Sequence, residues 1–310
     1  MLPSSTWVVA EAFAGMQSQA LGLAEAAGLS ADVHAIAPHG IWRHIPGRFW
    51  PRPLSAIAPR LPTDMPELLI GCGGKAASVV AALRTRARGV IVQHPRIDTK
   101  KFDFIVAGRH DELTGPNVFV ARTALHRASP AKLAAAAAEW APRLAHLPRP
   151  LVSVLIGGSN GRFRLGVAEA QALAAQLAGM MKADRVGLAL TPSRRSDPAV
   201  TAILAAALLP LGALVWDGTG DNPYMGMLAL SDAIVVTVDS VSMVSEAVAT
   251  RAPVLLAELP GASRRIGMFL QDLIDANRVR PYQGRFETWP VEPLDDTAAA
   301  AAAMCHRFGY

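Results

Sequence analysis

Three groups of residues in the second half of the sequence have the types and spacing for chemistry on phosphate. The first is Gly157, Gly158, Ser159, Asn160 and Gly161, which follow the apolar run LVSVLI and precede VAEAQALAAQLAGMM, a stretch of helical composition. Adjacent glycines let a ligand approach the backbone, and the unpaired N–H groups of a helix start attract an anion. Glycines also serve simply to turn a parallel strand–helix unit, so on their own they leave both roles open. The second group is Arg194 and Arg195, after the strand-like VGLALT. Two guanidiniums at a strand's C-terminal end suit the oxygens of a diphosphate, a solvated pair being the alternative. The third group lies in SDAIVVTVDSVSMVSEAVAT, a buried strand followed by a helix whose start holds Ser240, Ser242, Ser245 and Glu246. Hydroxyls there offer donors to an anion, and a glutamate one turn in can accept two hydrogen bonds from a ribose diol.

The first half offers titratable groups instead. His94 and Arg96 follow the strand at 89–93, and His110 and Asp111 follow the strand at 104–107. Ligands of open parallel sheets gather beyond the carboxyl ends of strands, where a histidine with a near-neutral pKa can serve as general base; tethering a loop is its other role. Gly71, Gly73, Gly74 and Lys75 form another glycine turn, but the spacing is not that of a P-loop and gives no support to nucleoside triphosphate hydrolysis. Gln17, Ser18 and Gln19 lie near the start of the first helix and read as its caps, with a place facing a cleft as the alternative. Between His39 and Pro66, prolines interleave with Trp42, Trp50, Arg43, Arg48, Arg52 and Arg60. This reads as an irregular loop with apolar and cationic character, suited to an acceptor or membrane contact or, alternatively, to covering the core.

The elements that must position these residues alternate strand with helix, which predicts an α/β protein with parallel sheets. With 310 residues, 51% hydrophobic and 18% charged, the chain is long enough for two domains. The proline-bearing link at 141–150 predicts domains at 1–145 and 146–290, with residues 291–310 as a terminal helix. The net charge of +5 is scattered rather than striped, which suits acidic small ligands or an anionic membrane surface and not nucleic acid. Cys72 and Cys305 are far apart, without metal-ligand spacing, and are read as free thiols in a reducing compartment. With neither a signal peptide nor an apolar span in the sequence, the expected location is the cytoplasm, including the inner face of the membrane.

In order, the GGS turn, the arginines of TPSRRS, DNPY, TVDSVSMVSEA and the following Pro253 resemble the nucleotide-binding half of GT-B glycosyltransferases. With WVVAEAFAGMQSQALGLAEAAG, VQHPR and FDFIVAGRHDE added, the chain more closely resembles the mitochondrial-fission family named after the plant elongated-mitochondria protein. The resemblance implies a GT-B-like fold of two Rossmann-like domains facing each other across a cleft, the acceptor on the first and the nucleotide on the second. A C-terminal helix is expected to cross back to the first. It also implies Gly158, Ser159 and Asn160 at the diphosphate, Arg195 on phosphate charge, Ser240 and Ser242 in the same pocket, and Glu246 on the ribose, with Gly157 and Arg194 beside them as candidates from their positions in the sequence. The loop AGMQSQA lacks the histidine that many such enzymes present there, so His94, His110, Asp111 and Asp239 become the candidates for the base. The implied activity moves a sugar from a nucleotide-diphosphate donor to an envelope lipid or saccharide, with no cofactor or metal. A nucleotide-sugar epimerase or hydrolase, or a non-catalytic membrane scaffold, is the alternative. The expected partners are a nucleotide sugar and an anionic membrane surface or lipid acceptor, with no nucleic acid.

Overall fold

The computed structural model describes residues 2–310, which form two compact α/β units: residues up to Arg127 together with Asp295–Tyr310, and Ala128–Leu294. The first unit contains β1 (Thr6–Ala10), α1 (Ala14–Ala26), β2 (Asp32–Ala35), β3 (Ala37–Pro38), β4 (Ile57–Ala58), β5 (Leu68–Cys72), α2 (Gly74–Leu83), β6 (Arg88–Val92), β7 (Phe104–Gly108) and β8 (Val118–Ala121). Six strands pair in parallel in the order β2-β1-β5-β6-β7-β8, while β3 and β4 form a small antiparallel pair. Side chains alternate across each strand, so Val8, Leu68, Ile70 and Val90 build the core on one face and Trp7, Val9, Leu69 and Ile91 build it on the other.

The second unit contains α3 (Pro130–Leu144), β9 (Leu151–Ile156), α4 (Val167–Asp184), β10 (Gly187–Pro192), α5 (Pro198–Leu208), β11 (Leu214–Val215), α6 (Tyr224–Leu230), β12 (Ala233–Thr237), α7 (Val241–Val248), β13 (Val254–Ala257), α8 (Arg264–Asp275) and β14 (Val279–Pro281). Its six parallel strands run β11-β10-β9-β12-β13-β14. Every residue of β9 is buried, the continuous apolar pattern of a strand covered on both faces. Ser153, the one polar residue in it, donates its hydroxyl to Met227 O at 3.3 Å.

Both sheets are wound alike. The chain builds outward from the first strand (β1 or β9) to one side, then returns to place the next strand (β5 or β12) on the other. The carboxyl ends of β1 and β5, and of β9 and β12, are therefore the two points where the strand order reverses and a crevice opens.

The unit boundary falls at 127/128, not in the proline-bearing link near 145. Ser129 caps α3 by accepting from Lys132 N, with Pro130 at the first position, and the helix packs on α6. Trp140 lies so close to Gly226 that an added Cβ would strike its ring, and Ala136, Trp140 and Leu144 join the second unit's core. The second correction is at 290/291: residues 291–294 stay with the second unit, where Leu294 N donates to Val248 O at 2.8 Å. The final helix, α9 (Thr297–Phe308), packs on α1 through Ala300, Ala301 and Met304. The Asp296 carboxylate holds its start by accepting from Arg122 Nη2 at 2.8 Å and from the Arg122 and Thr123 amides. Among the described residues no helix is long and apolar enough to cross a membrane.

Candidate functional site

At the second unit's reversal point the crevice is built around Asp239, two residues past β12. Its side chain has no exposed surface; it accepts from Thr237 Oγ1 at 2.7 Å, Gly158 N at 3.0 Å and Arg195 Nη2 at 2.9 Å. Gly157 N donates to Thr237 Oγ1 at 2.8 Å, and Arg195 Nη1 donates to Gly158 O at 3.1 Å. The two glycines are required by this packing. A Cβ on Gly157 would collide with the Asp239 carboxylate, and one on Gly158 with the Arg195 carbonyl. Asn160 Nδ2 donates to Asp239 O, while its Oδ1 accepts from Arg162 N and Phe163 N and closes the turn that holds Gly161 at φ 70°. Ser159 exchanges hydrogen bonds with the Leu165 backbone.

Two expectations change here. Asp239 is not a base facing a substrate: its lone pairs are committed to three donors and its charge to Arg195, so it braces the loop. The helix begins at Val167, where the sequence places it, but its start is not open to an anion. Residues 157–166 intervene before α4, and the Glu169 carboxylate accepts from Gly166 N at 2.9 Å, where an anion would otherwise sit. That amide, the residue's own amide and Arg164 hold the Glu169 carboxyl below its ordinary value, so the α4 start is already occupied by negative charge. Gly157, Gly158, Ser159 and Asn160 thus shape the crevice through internal bonds.

What faces outward is Arg194, the half-exposed part of Arg195, and the start of α7. Ser240 caps α7, accepting from Met243 N at 3.4 Å, and Ser242 and Glu246 follow along the helix. Glu246 accepts a hydrogen bond from the Tyr224 hydroxyl; burial and the glutamate's charge push the Tyr224 pKa up, keeping that proton in place. At the far end, buried Arg278 ties down α7 by donating to Val248 O at 2.9 Å, Thr250 O at 2.7 Å and Ala252 O at 3.1 Å. Burial pulls its pKa down to about 10, which leaves it charged at neutral pH. Beside Arg194, a cavity of about 610 Å³ is lined by Ser193, Ser196, Trp216 and Asp217. Trp216 and Tyr224 were missed in the sequence. Tyr224 lies within the quoted DNPY, but only the fold sets it against Glu246, 22 residues on.

In the first unit the reversal point has a different character. Glu11, after β1, meets Lys75, after β5, at 3.0 Å, and Gln93 Nε2 donates to Gln19 Oε1 at 3.2 Å. Gln17, Ser18 and Gln19 do not cap α1: the helix starts at Ala14, with Phe13 before it and no side-chain cap. Gln93 and Arg96 have φ of 74° and 64°, left-handed values that are strained for such residues. His94 Nδ1 accepts from Arg96 N at 2.9 Å, which ties the ring to its own loop. His110 and Asp111 lie in a single 3-10 turn after β7, with the His110 ring packed on Gly108.

Comparison with known proteins fits this geometry. The chain belongs to the family described as mitochondrial fission ELM1, whose model matches residues 14–308. It is 32% identical over 272 residues to the mitochondrial fission protein ELM1 of Arabidopsis thaliana, a match covering 78% of this chain and 64% of that relative's length. Among solved structures it is similar to a UDP-GlcNAc 2-epimerase from Neisseria meningitidis bound to UDP-GlcNAc, with TM-score 0.60, 10% identity, and coverage of 98% of this chain and 99% of that one. It is also similar to MurG of Acinetobacter baumannii, with TM-score 0.51, 15% identity and coverage of 98% and 90%. These likenesses establish the GT-B fold.

Proposed function

We propose that this ELM1-family protein binds a nucleotide-diphosphate sugar at the carboxyl edge of the second unit's sheet and transfers the sugar to an envelope lipid or saccharide. The observation that carries the reading is the fixed placement of Arg195. Its guanidinium is anchored to Asp239 and Gly158 O and leaves 42% of the side chain exposed at the reversal point. In the transfer, an acceptor oxygen bonds to the anomeric carbon as the bond from that carbon to the diphosphate breaks, and the electron pair leaves with the nucleotide. Arg194, Arg195 and the first-turn N–H groups of α7, flanked by Ser240 and Ser242, meet that negative charge from fixed positions. Glu246, oriented by Tyr224, accepts from the ribose hydroxyls, and the Trp216 cavity receives the base.

The test is calorimetry with uridine and adenosine diphosphates. Glu246→Gln, which still accepts from the Tyr224 hydroxyl but loses the charge, is expected to weaken binding roughly tenfold, the value of charge-assisted hydrogen bonds, with an unfolding midpoint near that of the wild type. Undiminished affinity would remove Glu246 from the site. A second reading, epimerisation or hydrolysis of the nucleotide sugar, draws support from the epimerase of the same fold. Turnover of a nucleotide sugar with no acceptor present would favour it over transfer. The relative's name, a mitochondrial fission protein, leaves room for a third, a non-catalytic scaffold, favoured if no nucleotide or nucleotide sugar raises the melting temperature.

A further inference from the structure

Between Asp32 and Asp64 the sequence contains no acidic residue, while Arg43, Arg48, Arg52 and Arg60 fall within that interval. None of the four arginines forms an ion pair among the described residues, and all four are exposed. In the fold most of this stretch is the excursion between β3 and β4, built as three 3-10 turns at Gly40–Arg43, Gly47–Phe49 and Pro53–Ser55, and Arg60 follows two residues past the end of β4. Its apolar side chains divide in two directions. Trp50 is buried and donates its ring N–H to Ile45 O at 3.0 Å, Ile57 lies in the core, and Trp42 packs against it. Gly47 is pressed against α2, where a Cβ would stand 2.8 Å from Ser78 Oγ and 3.0 Å from Gly74 O.

Held by these inward residues, the others point to solvent. Ile41 is 66% exposed, Phe49 62% and Leu54 40%. One large apolar residue on a surface needs no explanation; three on successive turns, interleaved with unpaired arginines, do. The Arg48 guanidinium stands over the Phe49 ring at 4.7 Å, placing a cation directly beside an exposed aromatic. Leu54 and Arg60 also wall a cavity of about 450 Å³ with His39, Leu61, Met65 and Arg86. A greasy wall with arginines at its rim fits an acyl chain below and a phosphate above.

We propose that this excursion is a docking face for an anionic phospholipid bilayer. Ile41, Phe49 and Leu54 enter the boundary between headgroups and acyl chains, and Arg43, Arg48, Arg52 and Arg60 meet the lipid phosphates. Nucleic acid fits less well. The aromatic rings suited to stacking bases, Trp42 and Trp50, turn toward the core, and the exposed side chains are mostly aliphatic. The lipid face is independent of the nucleotide reading, because none of its residues belongs to the second unit.

The test is sedimentation of the full chain with vesicles of phosphatidylcholine, with and without phosphatidylglycerol. The protein is expected to pellet with the anionic vesicles and to be released as salt rises. Each arginine near such a surface is worth roughly fivefold in partitioning, so reversing Arg43, Arg48 and Arg52 together to Glu lowers it by roughly a hundredfold or more. Ile41→Ser with Phe49→Ser lowers it by roughly tenfold or more even at low salt, an effect that charge alone would not give. Both variants keep the wild-type urea midpoint and nucleotide affinity, since only exposed side chains of the first unit are changed. Wild-type protein that stays in the supernatant, variants that pellet as the wild type does, or binding to RNA or an acidic polypeptide in place of vesicles would overturn the proposal.

Discussion

The two crevices where strand order reverses share a topology and differ in how they are filled. In the second unit the opening between β9 and β12 holds a carboxylate with no exposed surface, bound to a loop amide, a threonine hydroxyl and an arginine. In the first unit the opening between β1 and β5 holds a Glu11–Lys75 pair that is 16% and 26% exposed, flanked by two glutamines. A buried, fully bonded network fixes positions, whereas partly solvated side chains can re-form their bonds around different molecules. The difference accords with the proposed reading, in which the diphosphate is held at the second unit's fixed crevice.

The comparison is most easily broken through its two carboxylates. Asp239→Ala leaves a buried amide and hydroxyl without their acceptor and is expected to cost about 3 kcal/mol in urea unfolding, since removing one partner of a buried pair leaves the others uncompensated. Glu11→Ala is expected to cost less than about 1 kcal/mol, as for partly exposed pairs generally. Equal losses would erase the contrast between rigid and adaptable crevices.

The glycines of the two turns give a smaller contrast. Gly158→Ala forces a methyl group into the Arg195 carbonyl and should destabilise by about 2 kcal/mol, whereas a Cβ on Gly74 meets nothing nearer than Arg96 Cγ at 3.7 Å. Gly74→Ala, at the first position of α2, is expected to change stability by under about 1 kcal/mol, because ordinary contact and helix propensity both accept alanine. Matching thermal shifts in the two variants would mean that the turns are equally tight.

Much of this architecture was legible in the sequence, because buried parallel strands such as LVSVLI and AIVVT announce themselves by nearly continuous apolar runs rich in β-branched residues. Local capping was legible too: Ser129 with Pro130 opens α3 and Ser240 opens α7. What could not be read locally is what depends on distant partners. The unit boundary moved because Trp140 packs on Gly226, and Asp239 changed role because Gly158 and Arg195 lie 81 and 44 residues away. A phosphate cradle and a packing device ask for the same glycine pair, since both need a backbone without a Cβ, and only the fold shows Asp239 and Arg195 filling the space beside it. Trp216 gave no periodic signal and gained meaning only from the cavity beside Arg194.

The central claim, that the nucleotide is held by the second unit alone, is tested most directly by hydrogen exchange with and without saturating uridine or adenosine diphosphate. Slower exchange is expected in peptides spanning 193–196 and 238–246, with peptides around Glu11–Gln19 and Gly73–Lys75 unchanged. Protection confined to the first unit, or none in either, would contradict it.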